Sequence, residues 1–336
     1  MENLKLLNHS ESEYIEHDLV LPITNLPVEV STDNPFIQAN TTQIPFSELN
    51  EQHIIPVFIK DNEPVISCHD FISVTSDVVQ DIYGHETILS PNIRVSHPIK
   101  GRVPEARNKP ANELLEHEKT LYYERMAFII EIPTIYDVID GNRLSLTVGG
   151  VKSYHLDNLN SKKGSDEHFK VFIGFKNQVC TNLCVWSDGL YADLKVTSIG
   201  QLKALIKTLL EKYNPNFHLR QMELLTKYHL TEHQFATLIG RCRMYQHLSY
   251  SMKKDVTPML LGDSQIGMIC KDYYKDCSFC KNEDGTINLW KLYNLFTGAN
   301  KSTYIDSFLD RSVNAYHFIE QIRFALQNQT NNWYLN

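Results

Sequence analysis

Basic residues are almost missing from the first 90 residues, where Lys5 and Lys60 stand alone against fifteen Asp and Glu. Any contact this chain makes with phosphates therefore falls to the remaining 246 residues, where thirty basic side chains face twenty-five acidic ones. The overall charge of -8 is thus the sum of -13 in the first part and +5 in the rest. Long apolar runs are also missing: nothing approaches the roughly 20 residues of a membrane span. The opening MENLKLLNHSESEYIEHD lacks the basic-then-apolar layout of a secretion signal, so a cytoplasmic protein is expected. Cysteine is sparse and odd in number, seven over 336 residues, which excludes a disulfide framework and suits free thiols. There is no internal repeat and no low-complexity run.

Catalytic motifs fail one by one. His229-Leu-Thr-Glu232-His233 has the H-x-x-E-H spacing of an inverted zinc peptidase, but Thr231 sits where a helix N-cap is expected, leaving His229 outside the helix the motif needs. Cys277 and Cys280 form one close pair, with Cys270 and Cys242 upstream, where a structural zinc usually takes two such pairs. Gly298 to Thr303, GANKST, lacks the glycine that precedes the lysine of a phosphate loop and follows a helix, so it reads as a cap and linker. No catalytic residue, metal or cofactor is expected.

What is present is a strand-rich middle. RMAFIIEIP, NRLSLTVGGVKSYHL and HFKVFIGFKNQVCTNLCVW are β-branched and aromatic, and DGN and NLNSKKGSDE separate them. Gly149-Gly150 predicts a bulge or a close backbone approach, and Cys180 and Cys184 are read as two thiols on one face of a strand. Helical spacing follows in IGQLKALIKTLLEKY, with Leu202, Leu205, Ile206, Leu209 and Leu210 inward and Lys203 and Lys207 outward. HLRQMELLTKY and TEHQFATLIGRCRMYQHL come next, the latter with Thr231 and Gln234 set for a capping box. Asn288 is placed to cap LWKLYNLF and Gly298 to close it, before a last helix with Ile305, Phe308, Leu309, Val313, Tyr316 and Ile319 on one stripe. The fold class is α+β: an antiparallel sheet of three or more long strands backed by helices, with a helical C-terminal portion.

The expected organisation is an acidic N-terminal arm over 1–90, a sheet-plus-helix core over 91–250, and a helical portion over 251–336 packing on it. Residues 1 to about 35 are too polar to offset their ordering entropy and are expected to be disordered. IIPVFIKDNEPVIS suggests a hairpin or edge strands, then a short helix to about residue 80. From Asn92 an irregular, extended segment carries Arg94, Lys100, Arg102, Arg107 and Lys109. These five, with Lys203, Lys207, Arg241 and Arg243, are the candidate phosphate contacts, and Tyr122, Tyr123, Phe172, Phe175 and Trp186 the aromatic faces for stacking bases.

Several passages are distinctive in wording: HPIKGRVPEARNKPANELLEHEKTLYYERMAFIIEIP, LSLTVGGVKSYHLDNL, FKVFIGFKNQVCTNLCVW and NLWKLYNLFTGANKSTYIDSFLDRS. They resemble an uncharacterised bacterial family found mainly in Bacteroidetes, a domain of unknown function, from about Ser90 to the end. Val179-Cys180-Thr181-Asn182 before a long helix, with Trp290, Tyr293, Asn294 and Thr297, is similar to a broader phage- and plasmid-related family. The resemblance implies a setting among mobile elements and supplies no catalytic residue. Three strands followed by a lysine-edged helix are also similar in order to the core of single-strand annealing proteins. The leading expectation is a non-enzymatic protein that binds single-stranded DNA between the 94–109 segment and the sheet. The alternative is a protein-interaction module that works through the acidic arm.

Overall fold

The computed structural model describes residues 34–51, 65–158 and 166–336. Residues 1–33 of the expected disordered tail and most of the IIPVFIKDNEPVIS passage lie outside the described residues. The chain opens with β1 (Thr42–Ile44), α1 (Phe46–Glu51) and α2 (Cys68–Tyr83), followed by β2 (Asn92–Val95), β3 (Pro98–Arg102) and β4 (Lys119–Tyr123). The long strands are β5 (Arg125–Ile139), β6 (Asn142–Ser153) and β7 (Glu167–Asn177), with the short helix α3 (Tyr154–Asn158) between the last two. Then come β8 (Leu183–Cys184), β9 (Leu190–Val196), α4 (Ile199–Lys212), α5 (Pro215–Leu225), β10 (His229–Leu230) and α6 (Glu232–Tyr245). The remainder is α7 (Tyr250–Lys253), α8 (Asp263–Lys275), β11 (Ile287–Asn288), α9 (Leu289–Asn300) and α10 (Ile305–Asn328).

The expected α+β class is what the chain forms. Strands β1, β2, β5, β6, β7 and β8 lie side by side, β9 also pairs with β7, and every pairing is antiparallel. β5 and β6 are joined by Asp140 and Gly141, both at positive φ (49° and 73°), the backbone a two-residue primed turn requires. The glycine pair is a close approach and not a bulge. Register runs unbroken through Gly149 and Gly150, and the irregularity falls between Ile132 and Tyr136 instead. A Cβ on Gly150 would lie 2.4 Å from the Phe71 ring, and one on Gly149 2.2 Å from the Phe128 carbonyl. The missing side chains let α2 press an aromatic ring onto the sheet.

Alternation along the strands fills two cores. Phe128, Ile130 and Ile132 of β5, Leu144, Leu146 and Val148 of β6, and Val171, Ile173 and Phe175 of β7 face the larger core with α2, α4 and the C-terminal helices. Ala127, Ile129, Val151 and Phe172 face a smaller core closed by Phe36, Ile37 and the start of α10 through Ile305, Phe308 and Leu309. The charge boundary at residue 90 is therefore not a boundary in the packing. α2, with a capping box between Ser67 and Asp70, is a sixteen-residue helix, not a short one, and its Phe71, Ile72, Val78 and Val79 are core.

The helical readings hold with local corrections. Thr231 and Gln234 form the capping box of α6, and Asn288 caps α9. Leu205 is exposed while Leu202, Ile206, Leu209 and Leu210 are buried. Gly298 lies inside α9, which closes at Lys301. Cys180 and Cys184 do not share a strand: a turn at Thr181, with φ 59°, separates them, and Cys184 alone belongs to β8. The segment after Asn92 is also more regular than its prolines suggest, because β2 joins the main sheet and β3 pairs with β4 in a separate two-stranded ribbon.

Candidate nucleic-acid interface

The nine nominated cations fall into four separate places: the main sheet, the β3–β4 ribbon and the turns after it, α4 and α6. Arg94, on β2, donates to the Thr41 carbonyl at 2.8 Å and to its hydroxyl at 3.1 Å, and partial burial lowers its pKa. On the ribbon and the turns after it, Arg102 donates to the Lys109 carbonyl and Lys109 pairs with Glu118. Lys100 and Arg107 are exposed there, with no partner seen among the described residues. On α4, Lys203 sits 3.5 Å from Asp81 and Lys207 3.9 Å from Glu211. Tyr122, Tyr123, Phe172 and Phe175 are buried and Trp186 is stacked on Phe217 at 5.1 Å, so the sheet offers no open rings beside the ribbon.

The fourth place, on α6, is different. Arg241 lies over Trp333 at 4.9 Å, Lys253 over Tyr245 at 5.2 Å and Lys254 over Tyr250 at 4.9 Å. Arg241 and Tyr245 are one turn apart on α6, so they share a face. Lys253 donates to the Gln246 carbonyl at 3.1 Å, which brings the end of α7 back against the end of α6. The three pairs gather at the ends of α6 and α7, where Tyr334 lies between the Trp333 and Tyr245 rings at 4.9 and 6.5 Å. Tyr250 is 79% exposed, and Met244 and Met252 beside it are exposed too. Arg243 flanks the group and is held 3.0 Å from Asp263. Sequence reading nominated Arg241 and Arg243 but missed Tyr245, Tyr250, Lys253, Lys254 and Trp333. The run YSMKK was the available signal, aromatic and cationic within five residues, whereas Trp333 arrives only through folding.

Other polar groups escaped sequence reading because they are buried inside the sheet. Lys152 has no exposed side-chain surface and donates to Asp157 at 2.6 Å and Glu167 at 3.0 Å. Lys176 meets Glu131 at 2.7 Å. The turn segment Cys180-Thr181-Asn182 does meet α9: Asn182 donates to the Asn294 carbonyl at 2.9 Å, and Lys301 donates to Thr181 at 2.7 Å and Asn34 at 2.9 Å. Burial pulls the Lys301 ammonium down to about 8. These contacts tie the first described residues, the sheet and the last helices into one structural knot.

His229 lies on β10, outside α6, and Glu232 accepts from the Tyr274 hydroxyl at 2.8 Å, so the zinc-peptidase spacing is not one helical face. Among the described residues no three His, Cys, Asp or Glu side chains are arranged to hold a metal, and no helix is long and apolar enough to cross a membrane.

Comparison with known proteins defines the class first: residues 20–335 match the model of a domain of unknown function described from a B. theta gene. The chain belongs to that family, DUF3871. No curated protein and no solved structure matches it.

Proposed function

We propose that this protein binds single-stranded nucleic acid on the surface formed by the ends of α6 and α7, in the mobile-element setting that the sequence resemblance implies. One observation carries the reading: the group of three cation–aromatic pairs that includes the open ring of Tyr250. Binding single strands without sequence readout needs cations at phosphate spacing and aromatic faces on which bases stack. The ribbon supplies cations without open rings, the sheet adds the single open pair of Arg143 over Tyr136 at 3.8 Å, and Lys281 over Tyr274 at 5.1 Å lies beside the Glu232 carboxylate. The α6–α7 surface instead brings three cation–ring pairs together with no carboxylate seen on Lys253 or Lys254 among the described residues.

The test is fluorescence anisotropy on an oligo-dT strand across a salt series. Lys253→Ala with Lys254→Ala should flatten the salt slope by about 1.4, two phosphate contacts at about 0.7 each on a single strand. Tyr250→Ala should weaken binding by about 1–3 kcal/mol with the slope unchanged. Lys100→Ala with Arg107→Ala should change neither. If that last pair carries the slope instead, the contact surface is the ribbon. If the full chain does not bind the strand even at low salt, the interaction-module reading through the acidic arm becomes the better account.

A further inference from the structure

A cleft of about 270 Å³ opens at the end of the sheet where β6, β7 and β9 meet the start of α10, away from the α6–α7 surface. Its polar wall holds Ser153, His168, Asp193 and Asp306, and Val151 and Leu156 supply apolar surface. The β6–β7 register ends at Lys152 and Phe169, and Ser153 and His168 are the next residues on the two strands beyond that pair.

Carboxylates stand at both ring nitrogens of His168. Asp157, ion-paired to Lys152, accepts from the His168 backbone N–H at 2.9 Å and meets Nδ1 at 3.2 Å. A carboxylate can only accept, so Nδ1 carries a hydrogen. Nε2 faces Asp193 Oδ1 at 4.0 Å, too far for a hydrogen bond, and Oδ1 has no hydrogen-bond donor among the described residues. The neighbouring cation does not fill the gap: Lys170 is committed to Asp310 at 2.6 Å and to the Asp306 carbonyl at 2.7 Å. Lys195 holds the other Asp193 oxygen, Oδ2, at 3.2 Å. Ser153, 2% exposed, also lines the cleft with a hydroxyl that has no hydrogen-bond partner among the described residues.

We propose that this cleft binds a small molecule through a primary ammonium group. The ammonium has three donors and no acceptor, which matches the open Asp193 oxygen and the unpartnered Ser153 hydroxyl. A volume at the lower edge of the usual range for ligand clefts limits the rest of the ligand to a short chain, and Val151 and Leu156 make that chain apolar. The ligand class is a small aliphatic amine.

Saturation-transfer NMR and calorimetry on the full chain test this with n-butylammonium, butyrate and butanol, which share a body and differ in the head group. Nα-acetyl-lysinamide, an ammonium borne on a peptide, is added to the panel. Butylammonium should bind and the other two four-carbon probes should not. Asp193→Asn should weaken butylammonium about tenfold or more, since a charge-assisted bond becomes a neutral one. Asp193 is mostly exposed, so that variant keeps the wild-type melting temperature. Ser153→Ala should weaken binding by a smaller factor. Unchanged affinity in Asp193→Asn, a preference for butyrate, or no transfer to butylammonium in the tens-of-millimolar range overturns the proposal. So does stoichiometric uptake of Zn²⁺ that abolishes amine binding, which would make the cleft a metal site. Tighter binding of the lysinamide than of butylammonium would reassign the ligand to a lysine side chain of a protein.

Discussion

Lysine does opposite work at the two ends of this molecule. Lys254 stands in water over the exposed Tyr250 ring and the half-buried Lys253 over Tyr245, with no carboxylate among the partners seen for them. Lys152 is wholly buried between two carboxylates and lies 4.0 Å from the Phe169 ring centre. An exposed cation keeps its hydration and can exchange a counterion for a phosphate. A buried one has lost its hydration and depends on its partners, which depend on it in turn. The same residue type is a contact surface in one place and part of the framework in the other, and burial decides which.

The contrast is broken most severely at Lys152. Lys152→Met keeps the volume and removes the ammonium that the buried Asp157 and Glu167 share, so denaturant unfolding should show a loss of about 3–5 kcal/mol. Replacing all three by apolar residues of similar size should recover much of it.

Next comes the packing that puts α2 on the sheet. Gly150→Ala drives a methyl against the Phe71 ring and the Lys170 carbonyl, 2.4 and 2.8 Å from where a Cβ would stand. Overpacking of this kind should cost about 1–3 kcal/mol, seen as a lower denaturation midpoint. Phe71→Leu in the same chain should restore part of the loss.

A histidine sharpens the comparison, because its burial comes without an ionic partner. His218 is enclosed by Phe175, Trp186, Tyr213 and Tyr316, and burial drives its pKa down from 6.5 to about 3. The folded chain keeps it neutral while the unfolded chain takes up a proton below its ordinary pKa. Its stabilising contribution is therefore complete above pH 6.5 and is lost as pH falls towards 3, by up to about 1.4 kcal/mol per pH unit. His218→Gln should be less stable at neutral pH and show a flatter loss over that window, measured by urea midpoints from pH 7 to 4. The smallest effect belongs to the surface: Lys253→Ala with Lys254→Ala should change unfolding free energy by less than about 0.5 kcal/mol.

The long strands were legible because β-branched and aromatic residues alternate through Phe128, Ile130, Val148, Val171 and Ile173, and the caps at Thr231 and Asn288 because capping needs particular side chains at fixed offsets. What could not be read was coverage. Lys152, Lys170 and Lys176 sit at strand positions whose alternation is compatible with open solvent, and only the arrival of other elements makes them internal. The same limit applies to the surfaces. Arg241 was nominated from its charge, but its ring comes from Trp333, at the far end of the chain. The cleft takes Ser153 from one strand, His168 from the next and Asp193 from a third, with no common spacing to mark them.

The contact between Asn34 and Lys301 spans 267 residues. A chain made from its amino end exposes Asn34 early and Lys301 late, so this junction closes only once the residues between them have been made. Until α10 emerges from the ribosome, Ala127, Ile129, Val151 and Phe172 form a bare apolar strip on a sheet that can already pair its strands. Contacts of such separation slow folding and lengthen the time in which a nascent chain can find a wrong partner. The last helix is therefore also a timing element: truncating it should leave secondary structure in place and turn the smaller core into a site of aggregation.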